Sequence, residues 1–285
     1  MLYRYASFLF LFISFAASRC TQSADAKIAY KSPNGFDLNK PFLMKLPVEL
    51  DEISGLAFYS HDTSVFAIGD EFGFLYKIPL TKGKPIRKWK FSNQGDYEDL
   101  VMVDKVFYVL QSNGNITAFT FDDHNQILTQ QKEFPASGNE FEILYFTPHI
   151  FKLVLMCKDC ETDKKKALSV IYFNLLNKQF DDSASIDVTT IANMIGEEKI
   201  KFKPSAAAIN PVTDELFIIS SINKLLVVCD RNGKPKQTYP IDPGLFKQPE
   251  GITFTPQGDL IISNEAAGRG VANLLFFKYN KKVKP

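Results

Sequence analysis

Glu250-Gly251-Ile252-Thr253, within residues 248–254, sets an acid at the head of a short apolar strand. The same opening recurs upstream as Glu52-Ile53-Ser54-Gly55-Leu56, Glu98-Asp99-Leu100-Val101, Glu142-Ile143-Leu144-Tyr145 and Ser205-Ala206-Ala207-Ala208-Ile209. Successive openings lie 46, 44, 63 and 45 residues apart. A period in the mid-forties built of strands and turns marks a β-propeller blade, because one four-stranded sheet cannot bury both its faces alone and must stack against neighbours. The expected fold is an all-β, five-bladed β-propeller with four antiparallel strands per blade.

The last repeat supplies the template. Residues 251–255 read as the innermost strand, Pro256-Gln257-Gly258-Asp259 as a turn, 260–263 as the second strand and 273–279 as the third. Its outer strand is expected from Pro41-Phe42-Leu43-Met44-Lys45-Leu46, ahead of the first repeat, which closes the ring and removes an edge open to aggregation. In the other blades, second strands are expected over 65–68, 106–110, 151–156 and 216–219, and third strands over 73–78, 115–120, 168–173 and 224–228. Charged outer strands are expected over 86–91, 127–133, 185–190 and 235–240. The long third interval reads as an excursion over 174–202 carrying a short helix over 188–195, and the propeller as a single domain over 41–285.

Residues 1–19 read as a signal peptide, with Arg4 as its positive start and 8–17 as an apolar run. That run is too short for a transmembrane helix, which needs about 20 apolar residues. Cys20 follows Ala17-Ser18-Arg19 where a bacterial lipoprotein is cleaved and acylated, with 20–40 as tether. Arg19 departs from the small residue usual at that position, so plain secretion and an uncleaved anchor stand beside lipidation. Either way the protein is expected to be exported to the cell envelope and membrane-associated. Without Arg4 and Arg19 the chain holds 31 basic and 32 acidic residues, and its one basic run, Lys164-Lys165-Lys166, reads as a hairpin tip. This charge asks for no nucleic acid; a monomer is expected, with a small ligand or envelope protein as partner.

Cys157 and Cys160 belong to neither a βαβ unit nor a four-ligand zinc set. In an exported chain they are a candidate disulfide, two reduced thiols at a strand end being the alternative. Cys229, after the apolar run 225–228, reads as a small core residue.

In a blade the first strand lines the channel and the second returns antiparallel, so the start of one and the end of the other share a mouth. Strand-one starts contribute Glu52, Glu98, Glu142, Ser205 and Glu250; strand-two ends contribute Asp70, Glu71, Ser112, Asn113, Asp159, Ser221, Asn264 and Glu265. Carboxylates around one axis repel unless a cation or hydrogen bonds neutralise them. Ca²⁺ accepts six to eight oxygens in loose geometry, whereas the lack of His and Cys in this set argues against zinc. The metal reading rests on Glu52, Glu98, Glu142 and Glu250. Glu52 and Glu250 are foremost, because Gly55 and Gly251 allow close backbone approach. The structural alternative is that these acids cap amides of the adjacent blade.

Catalysis finds less in the sequence. His61, His124 and His149 all fall in expected turns, and no base stands beside Ser54 or Ser205. Beyond residue 19 the arginines are Arg87, Arg231 and Arg269, thin for a phosphate-rich substrate, with Arg269 placed at the acidic mouth to meet an anion or pair with a carboxylate.

Leu50-Asp51-Glu52-Ile53-Ser54-Gly55-Leu56-Ala57-Phe58, Asp96-Tyr97-Glu98-Asp99-Leu100, Lys203-Pro204-Ser205-Ala206-Ala207-Ala208-Ile209, residues 248–254 and Ile262-Ser263-Asn264-Glu265 together resemble the SdiA-regulated, YjiK-like propellers, distant relatives of NHL repeats, over about 41–279. The resemblance implies five blades, export to the envelope and a shared calcium site, with ligands carried onto Glu52, Glu98, Glu142 and Glu250; Ser205 departs from the acidic pattern and leaves a gap in the ring. It implies no established reaction. The leading expectation is a calcium-stabilised propeller that binds a ligand or partner at its acidic mouth without chemistry. The rival is a metal-dependent hydrolase of the esterase, lactonase or phytase-like kind, for which Glu71 and Glu265 are the candidate bases.

Overall fold

The computed structural model describes residues 29–81, 83–160, 163, 166–266, 268 and 270–283, so Cys20 and Arg269 lie outside the described residues. Five four-stranded antiparallel sheets make five blades. Blade one is β2 (Ile53–Tyr59), β3 (Ser64–Gly69), β4 (Phe74–Pro79) and β5 (Arg87–Lys90); blade two is β6 (Tyr97–Val103), β7 (Val106–Gln111), β8 (Ile116–Phe121) and β9 (Ile127–Lys132). Blade three is β10 (Asn139–Thr147), β11 (Lys152–Cys160), β12 (Ala167–Asn174) and β13 (Gln179–Asp187), followed by α1 (Val188–Met194). Blade four is β14 (Ala206–Ile209), β15 (Leu216–Ser220), β16 (Leu225–Cys229) and β17 (Pro235–Pro240). Blade five is β18 (Pro249–Phe254), β19 (Leu260–Asn264) and β20 (Asn273–Phe277), completed by β1 (Phe42–Lys45), which pairs antiparallel with β20 from Phe42 opposite Phe276 to Lys45 opposite Asn273.

Burial is most complete in the middle strands of the blades and falls toward the outer ones. Each residue of β15, β16 and β19 is buried, while β9 and β5 are mostly exposed. This gradient explains why inner strands read as apolar runs and outer ones as charged. Five apolar wedges fill the seams between adjacent blades. Where blade one meets blade two, Phe66 sits edge-on to Phe107 at 4.8 Å and Phe107 stacks on Phe119 at 5.1 Å, geometries that aromatic rings prefer. Near the axis the inner strands approach closely: a Cβ added at Gly55 would lie 2.5 Å from Asp99 Oδ1, and one at Gly251 2.5 Å from the Ser54 carbonyl. Glycine is needed at both positions for that reason.

Two expected boundaries move. The stretch after residue 174 is mainly fourth strand, since β13 already starts at Gln179 and pairs with β12; its Gln-Phe-Asp-Asp-Ser-Ala-Ser core lacks an apolar run because it forms an exposed outer edge. α1 follows at once, its N-terminus capped by Asp187 Oδ1, which accepts from Thr189 N at 2.9 Å. The tether expected over 20–40 is docked at its end. Phe36 and Leu38 are buried in the wedge between blades four and five, and Gly35 exchanges backbone hydrogen bonds with Val283 and Asn280 at 2.9 and 2.8 Å. Among the described residues no helix is long and apolar enough to cross a membrane.

Candidate functional site

The heads of the inner strands gather at one mouth, and β-bulges aim the acids into it. Glu98 is the unpaired residue between the Tyr97–Gln111 and Asp99–Leu110 pairs, and Glu250 the unpaired residue between Pro249–Asn264 and Gly251–Ser263. Glu142 falls in the register shift between Phe141 and Ile143, and blade one has its shift between Ile53 and Leu56, just after Glu52. A bulge residue leaves the ladder and turns its side chain, a common device beside functional sites. Blade four has no such shift: β14 pairs in continuous register, and its head is Ser205.

The carboxylates feel one another. Burial pushes Glu98 up to about 9, with Glu142, Asp96 and Glu250 adding repulsion. Glu250 is pushed to about 8 by burial and then by Glu142, against the pull of Lys158, a Ser221 hydrogen bond and Lys224. Glu265 reaches about 8 through burial, a hydrogen bond with Glu52 and the charges of Glu52, Glu250 and Asp70; Gln248 Nε2 donates to its Oε2. Asp70 is raised to about 6 by burial, Glu52 and Glu71, and its Oδ1 is buried with no hydrogen-bond partner. Glu52 and Glu71 are exposed at the rim.

Lys158 enters this ring from β11. Its Nζ lies 2.7 Å from Glu142 Oε1, and although burial opposes its charge, Glu142, Glu98 and Glu250 hold its pKa above the ordinary lysine value. Burial still raises the Glu142 carboxyl despite that partner. The ammonium therefore stays charged, and one of the ring's acids already has an internal counter-ion. Lys224 adds a second positive group facing Glu250, its pKa lowered by burial, while its Nζ donates to the Lys247 carbonyl at 2.5 Å. Among the described residues, no three of the ring carboxylates bring oxygens within 4.8 Å of one another.

Other expected members lie elsewhere. The Ser205 hydroxyl donates to the Pro249 carbonyl at 2.6 Å and accepts from Ser221 N at 3.2 Å, stapling blade four to blade five. Asn264 is turned into blade five, its Nδ2 donating to Leu245 O and Asn273 Oδ1, both at 3.0 Å. Asp159 bridges outward to Lys201 and Lys203 at 3.2 Å each. Ser112 donates to Asp96, and Asn113 folds back on Asn115 N at 3.0 Å. Capping of amides falls to Asp99, beside Glu98, and not to the strand-head glutamates of the structural alternative: buried, it accepts from Leu100 N at 2.7 Å and from Leu144 N of blade three at 2.8 Å.

The Sγ atoms of Cys157 and Cys160 are joined across a Cα separation of 5.9 Å, within the reach of a disulfide, and the pair brackets Lys158. The Asp163 carboxylate lies against them, but joined sulfurs offer no thiolate to a metal. His61, His124 and His149 sit in the turns after β2, β8 and β10, on the face opposite the acidic mouth; His61 lies 5.0 Å from the Tyr59 ring and His149 Nε2 3.0 Å from Asp214 Oδ1. Lys158 and Lys224 were not foreseen. The signal for Lys158 was its place at a second-strand end, where the strands' return delivers side chains to the mouth.

Comparison with solved structures agrees with this fold. Myxococcus xanthus glutaminyl cyclase superposes with a TM-score of 0.57 at 11% sequence identity, covering 87% of this chain and 100% of that one. A luciferin-regenerating enzyme superposes with a TM-score of 0.50 at 9% identity, covering 86% and 97%. At such identities the likeness is one of fold, and a shared fold does not carry a shared function. No family model and no curated protein matches the sequence.

A carboxyl whose pKa is raised by folding keeps its proton after the unfolded chain has released it. Stability in chelator therefore falls as pH rises from the ordinary value of 4.5 through about 8 to 9, the range of Glu250 and Glu98. Urea midpoints measured near about pH 6 and about pH 9 should show the lower value at the higher pH, with Glu98→Gln flattening the slope. A midpoint that climbs across this interval contradicts the crowding of acids.

Proposed function

We propose that this chain is an exported, envelope-associated binding propeller of the SdiA-regulated, YjiK-like kind, whose acidic mouth holds a calcium ion and takes its ligand or partner there without chemistry. The observation that carries the reading is the buried, unpartnered Asp70 Oδ1 among carboxylates raised by burial and mutual repulsion, a cluster short of positive charge. The donors are all oxygen, which suits a hard ion, and calcium tolerates the loose spacing by keeping waters in its shell. Of the four acids first assigned, Glu142 is engaged by Lys158. The ion is therefore assigned to Glu52, Glu98 and Glu250, joined by Asp70 and Glu265. Bound there it would neutralise the ring and present a Lewis-acidic, water-exchanging centre to an incoming oxygen ligand; Lys158 and Lys224 would limit the charge of what enters.

Calcium at this site should raise the melting temperature by mass action once its concentration exceeds the dissociation constant. Chelator should lower melting, added calcium restore it, and Glu250→Gln remove most of that response. Melting that ignores calcium at about a hundred times a micromolar dissociation constant, where linkage predicts about 2.7 kcal/mol, removes the ion from the proposal.

Envelope attachment is proposed from residues 1–20, with Cys20 as the acylated residue. Cys20→Ala should then move the protein from the membrane fraction to the soluble exported fraction, and retention on the membrane would argue for an uncleaved anchor.

A hydrolase reading is favoured by one observation: Glu265, raised to about 8, is poised as a base near neutral pH. Its partners Glu52 and Gln248 already engage it, which places binding first. A panel of aryl esters, lactones and phosphate esters with calcium present decides between them. Turnover abolished by Glu265→Gln would establish hydrolysis, and silence across the panel leaves binding.

A further inference from the structure

Opposite the acidic mouth the channel widens into a cavity of about 630 Å³ walled by all five inner strands. Every blade contributes at least one buried apolar residue to its lining, among them Leu56, Leu100, Leu144, Ala207 and Ile252. Phe58, Met102 and Phe146 stand nearer the opening and are only half-buried. The volume lies in the range, roughly 300–1,000 Å³, in which cavities enclose most of a small ligand's surface.

Unlike the acidic mouth, this one has its carboxylates already partnered. Asp99, the one carboxylate in its depth, is closed off by two backbone amides, and Thr253 Oγ1 accepts from Phe58 N at 3.2 Å. At the rim, Asp214 is paired with His149 at 3.0 Å and bridged to Arg231. No hydrogen bond engages His149 Nδ1 among the described residues, so the imidazole keeps one polar atom for a ligand. A charged molecule would lose its hydration against walls with no counter-charge, whereas a hydrocarbon one would gain from leaving water.

We propose that this mouth is a second binding site, independent of the acidic one, for a small uncharged and mainly hydrocarbon molecule: an aromatic or alicyclic ring carrying one hydroxyl or carbonyl, which His149 hydrogen-bonds at the rim.

Titration with N-phenyl-1-naphthylamine, an uncharged dye that brightens on leaving water, tests the site. Fluorescence should saturate at a single site on the full chain. Ala208→Trp, which fills the cavity, and Met102→Glu, which charges its wall, should each weaken the dye by about tenfold or more, with melting curves reporting whether the variants are folded. Glu98→Gln, at the other mouth, should leave it unchanged. His149→Ala, at an exposed rim position, should erase a preference for 1-naphthol over naphthalene of about three- to tenfold, the worth of one hydrogen bond. No saturable signal, wild-type binding by the folded cavity variants, or a naphthol preference that survives His149→Ala would overturn the proposal.

Discussion

Each sheet here is apolar on both faces, and water gives it nowhere to hide them. Stacking side by side satisfies both at once, and a closed circle is the arrangement in which no sheet is left at an end. The five seam wedges, the strand that β1 lends to β20, and the glycines at positions 55 and 251 where the inner strands press together are consequences of that demand. The same circle determines where chemistry can occur. Residues far apart in the chain share an opening only because their strands begin at the same height around one axis.

Gathering acids in this way creates an electrostatic debt that the fold itself settles only in part. Lys158 offsets Glu142, Asp99 is held by backbone amides, and the Ser205 hydroxyl joins blades where a fifth acid would have crowded the ring further. What remains uncompensated lies around Glu98 on blade two and around Asp70, Glu265 and Glu250 on blades one and five, and not on blade four. The asymmetry matters for function. A ring that was neutral throughout would attract nothing, and one with every acid free would resist folding.

Most of the architecture was legible because burial follows sequence so directly in a propeller. Runs such as Leu225–Cys229 are apolar throughout, and the repeat headed by Glu250 is periodic. The outer strand of blade three was harder to place, since Gln179–Asp187 pairs on one side only and needs no apolar run. At the site, the acids announced themselves by position, but the direction of each side chain did not. Neighbours Glu98 and Asp99 look equivalent in sequence, yet a bulge sends one to the channel and the other into the next blade. Lys158 was hidden for a related reason: between two cysteines, a residue reads as part of their motif and not as a charge delivered to acids on another strand.

Phe36 and Gly35 fasten the start of the described chain to the underside of blades four and five, beside the hydrocarbon-lined opening and away from the carboxylates. The polypeptide that leads into the ring and the anionic crown therefore occupy opposite faces, and the acids are left clear of the segment that docks beneath them.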